Sequence, residues 1–133
     1  WPPSSAQRSI QGILRGFDLP WSYGDCHRTT FQLNPSGLLP DNVEPFSLPK
    51  PYSMKVLHVK YAPSEDKLYI PTEGAIRQSL VWAPTFVDRT QAAVVEARLG
   101  QGSIYYCGDT NGEDGSNQLT LSLCGFKGEC APM

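Results

Sequence analysis

The sequence has no apolar run long enough to cross a bilayer and no block of charge of one sign. Its uninterrupted apolar stretches are only a few residues long, whereas a transmembrane helix needs about 20. Eleven basic and thirteen acidic residues are scattered along the 133-residue chain and give a net charge of −2. Proteins that bind nucleic acid or anionic lipid usually carry a basic patch. We therefore expect a soluble chain with neither nucleic acid nor a membrane as partner.

The motifs of common hydrolases and metal sites are also missing. The chain has no Gly-x-Ser-x-Gly nucleophile motif, and no Cys-x-x-Cys or His-x-x-x-His pair of the kind that zinc sites use. An acidic loop begins at Asp109, but Asp114 and Thr120 stand where an EF-hand needs glycine and a carboxylate. We expect neither a metal nor a cofactor.

The cysteines and the first residue indicate the compartment. The chain has four cysteines, Cys26, Cys107, Cys124 and Cys130, and it begins at Trp1. An even number of cysteines is typical of secreted domains that contain disulfides, and a start other than methionine is expected of a processed chain. The sequence therefore predicts a secreted, extracellular protein with two disulfides.

Alternating β-branched and aromatic residues predict a mainly antiparallel β protein. YSMKVLHVKYAP and KLYIP, separated by the turn residues PSED, are typical of one hairpin. The residues around Gly100-Gln101-Gly102 predict a second hairpin, although residues 90–99 could instead form a helix. Near the N-terminus, the apolar residues of SIQGILRGF have helical spacing, but its two glycines disfavour a stable helix. The segment could therefore form either a helix or a bulged strand.

The segment NQLTLSLC alternates cleanly and predicts a last strand that pairs with SIYYC. With the register centred on the intervening loop, Cys107 and Cys124 lie on one face about 20 Å apart, too far for a disulfide. Each would then pair with Cys26 or Cys130. The two remaining connectivities are Cys26–Cys107 with Cys124–Cys130, and Cys26–Cys124 with Cys107–Cys130.

These patterns predict one domain over residues 1–133, because the chain is too short for two independent cores. We expect a single antiparallel β-sandwich or small barrel with long Pro/Gly-rich loops, at most one or two short helices and two disulfides.

Residues 34–51, here called the proline arm, contain five of the twelve prolines. The arm is too long for an ordinary loop and too apolar for a disordered linker. Prolines keep such a segment extended and lower the entropy lost on docking. We weigh two hypotheses, a structural crossover packed on its own domain and an arm that binds a partner. The candidate binding residues are Leu38, Leu39, Val43, Phe46 and Leu48.

A catalytic alternative rests on His58, Glu96, Arg98 and His27. Small fungal ribonucleases use His, Glu and Arg on adjacent strands, and this set is similar in type. In such a scheme a carboxylate or imidazole accepts the 2′-hydroxyl proton, a cation stabilises the phosphate, and a second histidine, here His27, protonates the leaving oxygen.

In general character the chain resembles the small secreted effector proteins of plant-pathogenic fungi. The resemblance is carried by WPPSS at the start, by Cys26, by the cluster YYCGDTNGEDGSNQLTLSLCGFKGEC and by the lack of enzyme motifs. It implies a virulence effector that binds a host extracellular protein. Inhibition of a papain-like cysteine protease is the mode that suits a rigid, apolar, proline-bearing loop.

Overall fold

The computed structural model describes residues 5–37, 39, 43–78 and 85–124. Within them, five strands form one antiparallel sheet flanked by two α-helices. The elements are α1 (Ser5–Gly16), β1 (Ser22–Leu33), β2 (Tyr52–Lys60), β3 (Lys67–Pro71), β4 (Val94–Leu99), β5 (Gly102–Cys107) and α2 (Asp114–Leu123). The prediction of a mainly β, antiparallel fold with at most two short helices is confirmed.

The sheet has the order β2-β1-β3-β4-β5, so β1 lies between β2 and β3. The predicted β2–β3 hairpin is therefore wrong. After β2 the backbone of Tyr61 has a positive φ of 69°, and a short 3-10 turn at Ser64–Asp66 follows. These residues carry the chain across β1, and β3 then pairs with the other edge of that strand, from Phe31↔Pro71 to Leu33↔Tyr69.

The β4–β5 hairpin is confirmed, and the helical alternative for residues 90–99 is wrong. Its register runs from Val94↔Cys107 to Leu99↔Gly102. Gly100 has a φ of 59° at the turn, a backbone conformation that glycine adopts without strain and that two-residue hairpin turns require.

The sheet curls until its two edges are bridged. Val59 on β2 and Ala92, just before β4, exchange two backbone hydrogen bonds of 2.9 Å. The Leu57 amide donates to the Gly108 carbonyl, just after β5, at 3.0 Å. These contacts between β2 and the residues flanking the β4–β5 hairpin are here called the seam.

Each face of the sheet carries a helix over its own apolar cluster. All of SIQGILRGF except Phe17 lies in α1, which packs Ile10 and Leu14 against a cluster that includes Trp21 and Val95. On the other face, Leu119 of α2 joins a second cluster around Phe31, Tyr69 and Val94. Ser22 Oγ and the Tyr23 amide both donate to Gln11 Oε1, which fastens α1 to the start of β1.

The segment NQLTLSLC is helical, so the predicted last strand is wrong. Its leucines alternate in sequence, but Leu119 and Leu123 are buried whereas Leu121 is 48% exposed. Ser116 is also buried, and buried positions 116, 119 and 123 follow the period of a helix. The buried face of this helix includes serines, so the helical period is not visible when only the apolar residues are counted.

The prediction of two disulfides is wrong, because Cys26, Cys107 and Cys124 are free thiols. The two predicted disulfide connectivities assumed that NQLTLSLC is a strand paired with SIYYC, whereas this segment forms the helix α2. Cys107 packs at the edge of a core cluster, whereas Cys26 and Cys124 are exposed. Cys130 lies outside the described residues. In the described part of the chain, no helix has the length and apolar character needed to cross a bilayer.

Candidate functional site

Part of the proline arm packs on its own domain. Val43 and Leu48 are each 6% exposed and belong to the core cluster on the α2 face, and Leu39 packs against that cluster. Leu38 lies outside the described residues. Three of the five candidate binding residues therefore contact the core of their own domain.

Phe46 is different, because its side chain is 85% exposed. It occupies the middle of a 3-10 turn, Pro45–Ser47, between the two buried residues Val43 and Leu48. The turn is closed by the Ser47 amide, which donates to the Glu44 carbonyl at 3.0 Å, and by the Leu48 amide, which donates to the Pro45 carbonyl at 3.2 Å. A large aromatic ring is thus presented to solvent on a hydrogen-bonded turn.

Helix α2 holds this turn in place. Gln118 Nε2 and Ser122 Oγ both donate to the Ser47 carbonyl, at 3.0 and 3.2 Å. Farther along the arm, Tyr69 Oη donates to the Pro49 carbonyl at 2.6 Å. Leu121 lies on the same side of α2 as Gln118, three positions on, and is also largely exposed. The turn that carries Phe46 is therefore fixed to α2 through the Ser47 carbonyl.

The structure brings His27 and His58 together. Residue 27 pairs with residue 56 across β1 and β2, so the two histidines are diagonal neighbours on one face, and their ring centroids lie 4.4 Å apart. His58 is 1% exposed. Its Nδ1 lies 2.7 Å from the Asp25 carbonyl, and because a carbonyl only accepts, Nδ1 must carry the proton.

Both histidines are electrically neutral near pH 7. Burial lowers the pKa of His58 to about 4, although the hydrogen bond to the Asp25 carbonyl opposes this shift. Burial, together with the nearby Arg77 guanidinium, also lowers the pKa of His27. His58 Nε2 and His27 Nδ1 are buried, and neither atom has a hydrogen-bond partner among the described residues.

Glu96 and Arg98 are separate from the histidine pair. They are two residues apart on β4, and no hydrogen bond or ring contact between described residues joins either of them to His27 or His58. Glu96 Oε2 is also buried and has no hydrogen-bond partner in the part of the chain that the structure describes. Burial raises the pKa of Glu96, against the opposing effect of Arg98. The structure therefore forms a histidine pair and a Glu-Arg pair, but it does not join them into one site.

Gln91 is the residue of this region that the sequence analysis missed. Its Oε1 accepts from the Asp25 amide at 2.8 Å, and its Nε2 donates to the carboxylates of Asp25 and Asp88, both at 3.1 Å. The amide packs so closely on Gly24 that a Cβ there would collide with it. A lone glycine inside a strand often marks such a close approach, so Gly24 was the available signal.

In the part of the chain that the structure describes, no three or more His, Cys, Asp or Glu side chains are grouped so as to hold a metal ion. Comparison with known proteins finds no match: no family model fits the chain, and no curated protein or solved structure is similar to it.

Proposed function

We propose that this protein is a binding protein whose central contact residue is Phe46. The observation that carries the proposal is the 85% exposure of this ring on a turn whose neighbours Val43 and Leu48 are buried. Exposed single apolar residues are common on protein surfaces. A large aromatic on a turn fixed by core packing and by a supporting helix is better suited to act as an interface anchor.

The rigidity of the turn supports this function energetically. Binding a flexible loop costs about 0.5–1.5 kcal/mol for each side chain that becomes ordered. Here much of that ordering is done before the partner arrives, because α2 holds the Ser47 carbonyl and the core holds Val43 and Leu48. We take the curled, edge-bridged sheet to be the small barrel expected from the sequence, a stable base for such a turn.

The partner we propose is a host extracellular protein, with papain-like cysteine proteases as the first class to test. A protruding, proline-flanked aromatic fits a concave cleft, and pre-organised inhibitors bind with little backbone movement. That the protein is a secreted virulence effector also belongs to the proposal. The proposals of secretion and virulence rest on the resemblance to fungal effectors, because the free cysteines do not support secretion.

The ribonuclease-like alternative has less support from the geometry. A general base must come within hydrogen-bond reach of its substrate, whereas His58 is 1% exposed. Glu96 and Arg98, the carboxylate and cation of that scheme, have no described contact with the histidines. The unpartnered atoms of His58, His27 and Glu96 are therefore better treated as features of the folded core.

Papain supplies the first test. Inhibition of its peptidase activity would be measured with wild-type protein, Phe46→Ala and a matched control, Phe86→Ala. Phe86 is 82% exposed, so the control removes an equally exposed ring from a different part of the surface. We expect inhibition by the wild type and the control, and a loss of at least tenfold in potency for Phe46→Ala.

The same three proteins, immobilised, would next be used to capture partners from host extracellular fluid. A protein retained by the wild type and Phe86→Ala but not by Phe46→Ala is the expected result, whether or not it is a protease. Equal capture of every retained protein by all three baits would contradict the proposed role of Phe46.

A further inference from the structure

The histidine pair lies at the seam where the sheet closes. On one side of His58, Val59 exchanges its two backbone hydrogen bonds with Ala92; on the other side, the Leu57 amide donates to the Gly108 carbonyl. The seam joins β2 to residues more than 30 positions away in sequence, and it is also crossed by the bonds from Tyr106 Oη to the Leu57 carbonyl and from the Thr110 amide to the Lys55 carbonyl. Anything that disturbs His58 acts directly on this closure.

The hydrogen bonding of His58 fixes a neutral tautomer. Nδ1–H donates to the Asp25 carbonyl, so Nε2 holds the lone pair, and this buried atom has no hydrogen-bond partner among the described residues. A proton added to Nε2 would place a charge at a buried site where the backbone of Asp25 and Val56 favours the protonated ring less than burial opposes it. An unpaired buried charge is among the costliest changes a folded protein can undergo.

The surrounding charges do not compensate for that proton. The His27 ring lies tilted against His58, so two protonated rings would repel each other, and the positive charge of Arg77 also disfavours a proton on His27. Asp25 is the nearby acid that favours protonation of both rings, but its carboxylate already accepts from Gln91. The Gln91 side-chain amide also donates a hydrogen bond to the Asp88 carboxylate. Neither carboxylate makes a hydrogen bond to an imidazole.

We propose that the His27–His58 pair is an acid-sensitive lock on the seam, which holds the sheet closed while both rings are neutral and opens it locally when they take up protons. In the opened state the edge of β2 separates from Ala92 and Gly108, and water reaches the two imidazoles. The Gln91 side chain, which ties Asp25 to the chain before β4, is released with them. The β4–β5 hairpin loses the bond from Tyr106 Oη to the Leu57 carbonyl but keeps its own ladder, from Val94↔Cys107 to Leu99↔Gly102, and both helices stay folded.

Amide hydrogen exchange of the full chain tests this proposal without any substitution. Protection factors, which remove the intrinsic pH dependence of exchange, would be followed between pH 6.5 and pH 5. The amides of Val59, Leu57 and Ala92 report on the seam, and that of Ala97, inside the β4–β5 hairpin, serves as the reference. We expect protection at the seam to fall about tenfold for each proton that only the open state binds, with the hairpin amide unchanged. An equal fall at both places, or none at the seam, would overturn the proposal.

Two variants identify the histidines as the cause. His27→Gln/His58→Gln removes both titrating groups and keeps hydrogen-bonding amides, whereas Leu14→Ala weakens the α1 face and keeps both histidines. We expect the pH-dependent loss of seam protection to vanish in the first variant and to persist in the second. If the double variant does not fold, the NMR titration of the wild-type histidines decides. If the two imidazoles titrate near pH 6.5 while the seam stays closed, the proposed acid-sensitive lock is contradicted. If they stay neutral until the seam opens, it is supported.

Discussion

The rings of Phe31 and His58 lie with their centroids 5.3 Å apart, although Phe31 is paired with Tyr52, six positions before His58 on β2. Six residues of strand span about 20 Å. Side chains so far apart along a ladder can meet only where the sheet curls strongly and their shared face is concave. His58 is therefore part of the packed interior of this curl.

Replacing His58 by alanine should reduce stability without affecting the binding surface. The substitution leaves a cavity beside Phe31 and His27 and deprives the Asp25 carbonyl of its donor. We expect the free energy of unfolding to fall by about 2–4 kcal/mol, measured by denaturant titration. Affinity of the folded fraction for a partner should not change. Loss of an RNA-cleaving activity with the fold retained would instead establish the enzyme alternative.

Stability should depend on pH through the same residue. The pKa of His58 is lowered to about 4 in the folded protein, from about 6.5 when unfolded, so the unfolded state binds the proton first. The contribution of His58 to the free energy of unfolding should therefore be fully present above pH 6.5 and decline by about 3 kcal/mol as the pH falls towards 4, and His27, whose pKa is also lowered, should add to the loss. Denaturant titrations at half-unit pH intervals would measure it. A flat profile over this range would show that His58 is not held neutral by the fold.

The cysteines should react as thiols in the native, unreduced protein. Cys26 and Cys124 are exposed and should be alkylated first by iodoacetamide. Cys107 should react more slowly, because burial raises the pKa of its thiol and little thiolate is present at neutral pH. Peptide mass spectrometry after timed alkylation gives the order. Peptides found cross-linked between any two of these cysteines would contradict the described structure.

Two glycines should respond in opposite directions to alanine. Gly12 lies inside α1 with open space around it, so Gly12→Ala should stabilise the protein by about 0.5–1 kcal/mol. A Cβ on Gly108 would collide with the Leu57 carbonyl across the seam, so Gly108→Ala should destabilise it by about 1–3 kcal/mol or more. Thermal unfolding of both variants compares them directly. A neutral Gly108→Ala would mean that the seam is looser than described.

The β4–β5 hairpin could be predicted because its signal is local: two alternating segments flank a glycine turn that needs a positive φ at Gly100. The β1–β2 and β1–β3 pairings could not, because they join residues far apart in sequence. Neighbouring strand segments suggested a hairpin, and nothing local to PSED showed that β1 would lie between them. Helix α2 was missed because Ser116 and Ser122 fill buried helical positions that apolar patterning does not count.

For the candidate site, the sequence identified the proline arm and gave Phe46 as one of its five candidate binding residues, but it could not separate contact residues from core residues. That distinction depends on which side of the arm meets the sheet, and Val43 and Leu48 turned inward while Phe46 turned outward. The histidines were noted as candidates, yet their contact depends on the pairing of β1 with β2. Gln91 carried no sequence signal apart from its partner Gly24.

The most direct measurement compares Phe46→Ala with Leu48→Ala for both thermal unfolding and affinity for a partner captured by the wild type. Phe46 is exposed and Leu48 is buried, so Phe46→Ala should change stability by no more than about 0.5 kcal/mol and weaken binding by about 2 kcal/mol, roughly thirtyfold. Leu48→Ala should lower stability by about 2–5 kcal/mol. A loss of about 3–5 kcal/mol in the stability of Phe46→Ala, with unchanged affinity of its folded fraction, would contradict the proposal that Phe46 is the contact residue.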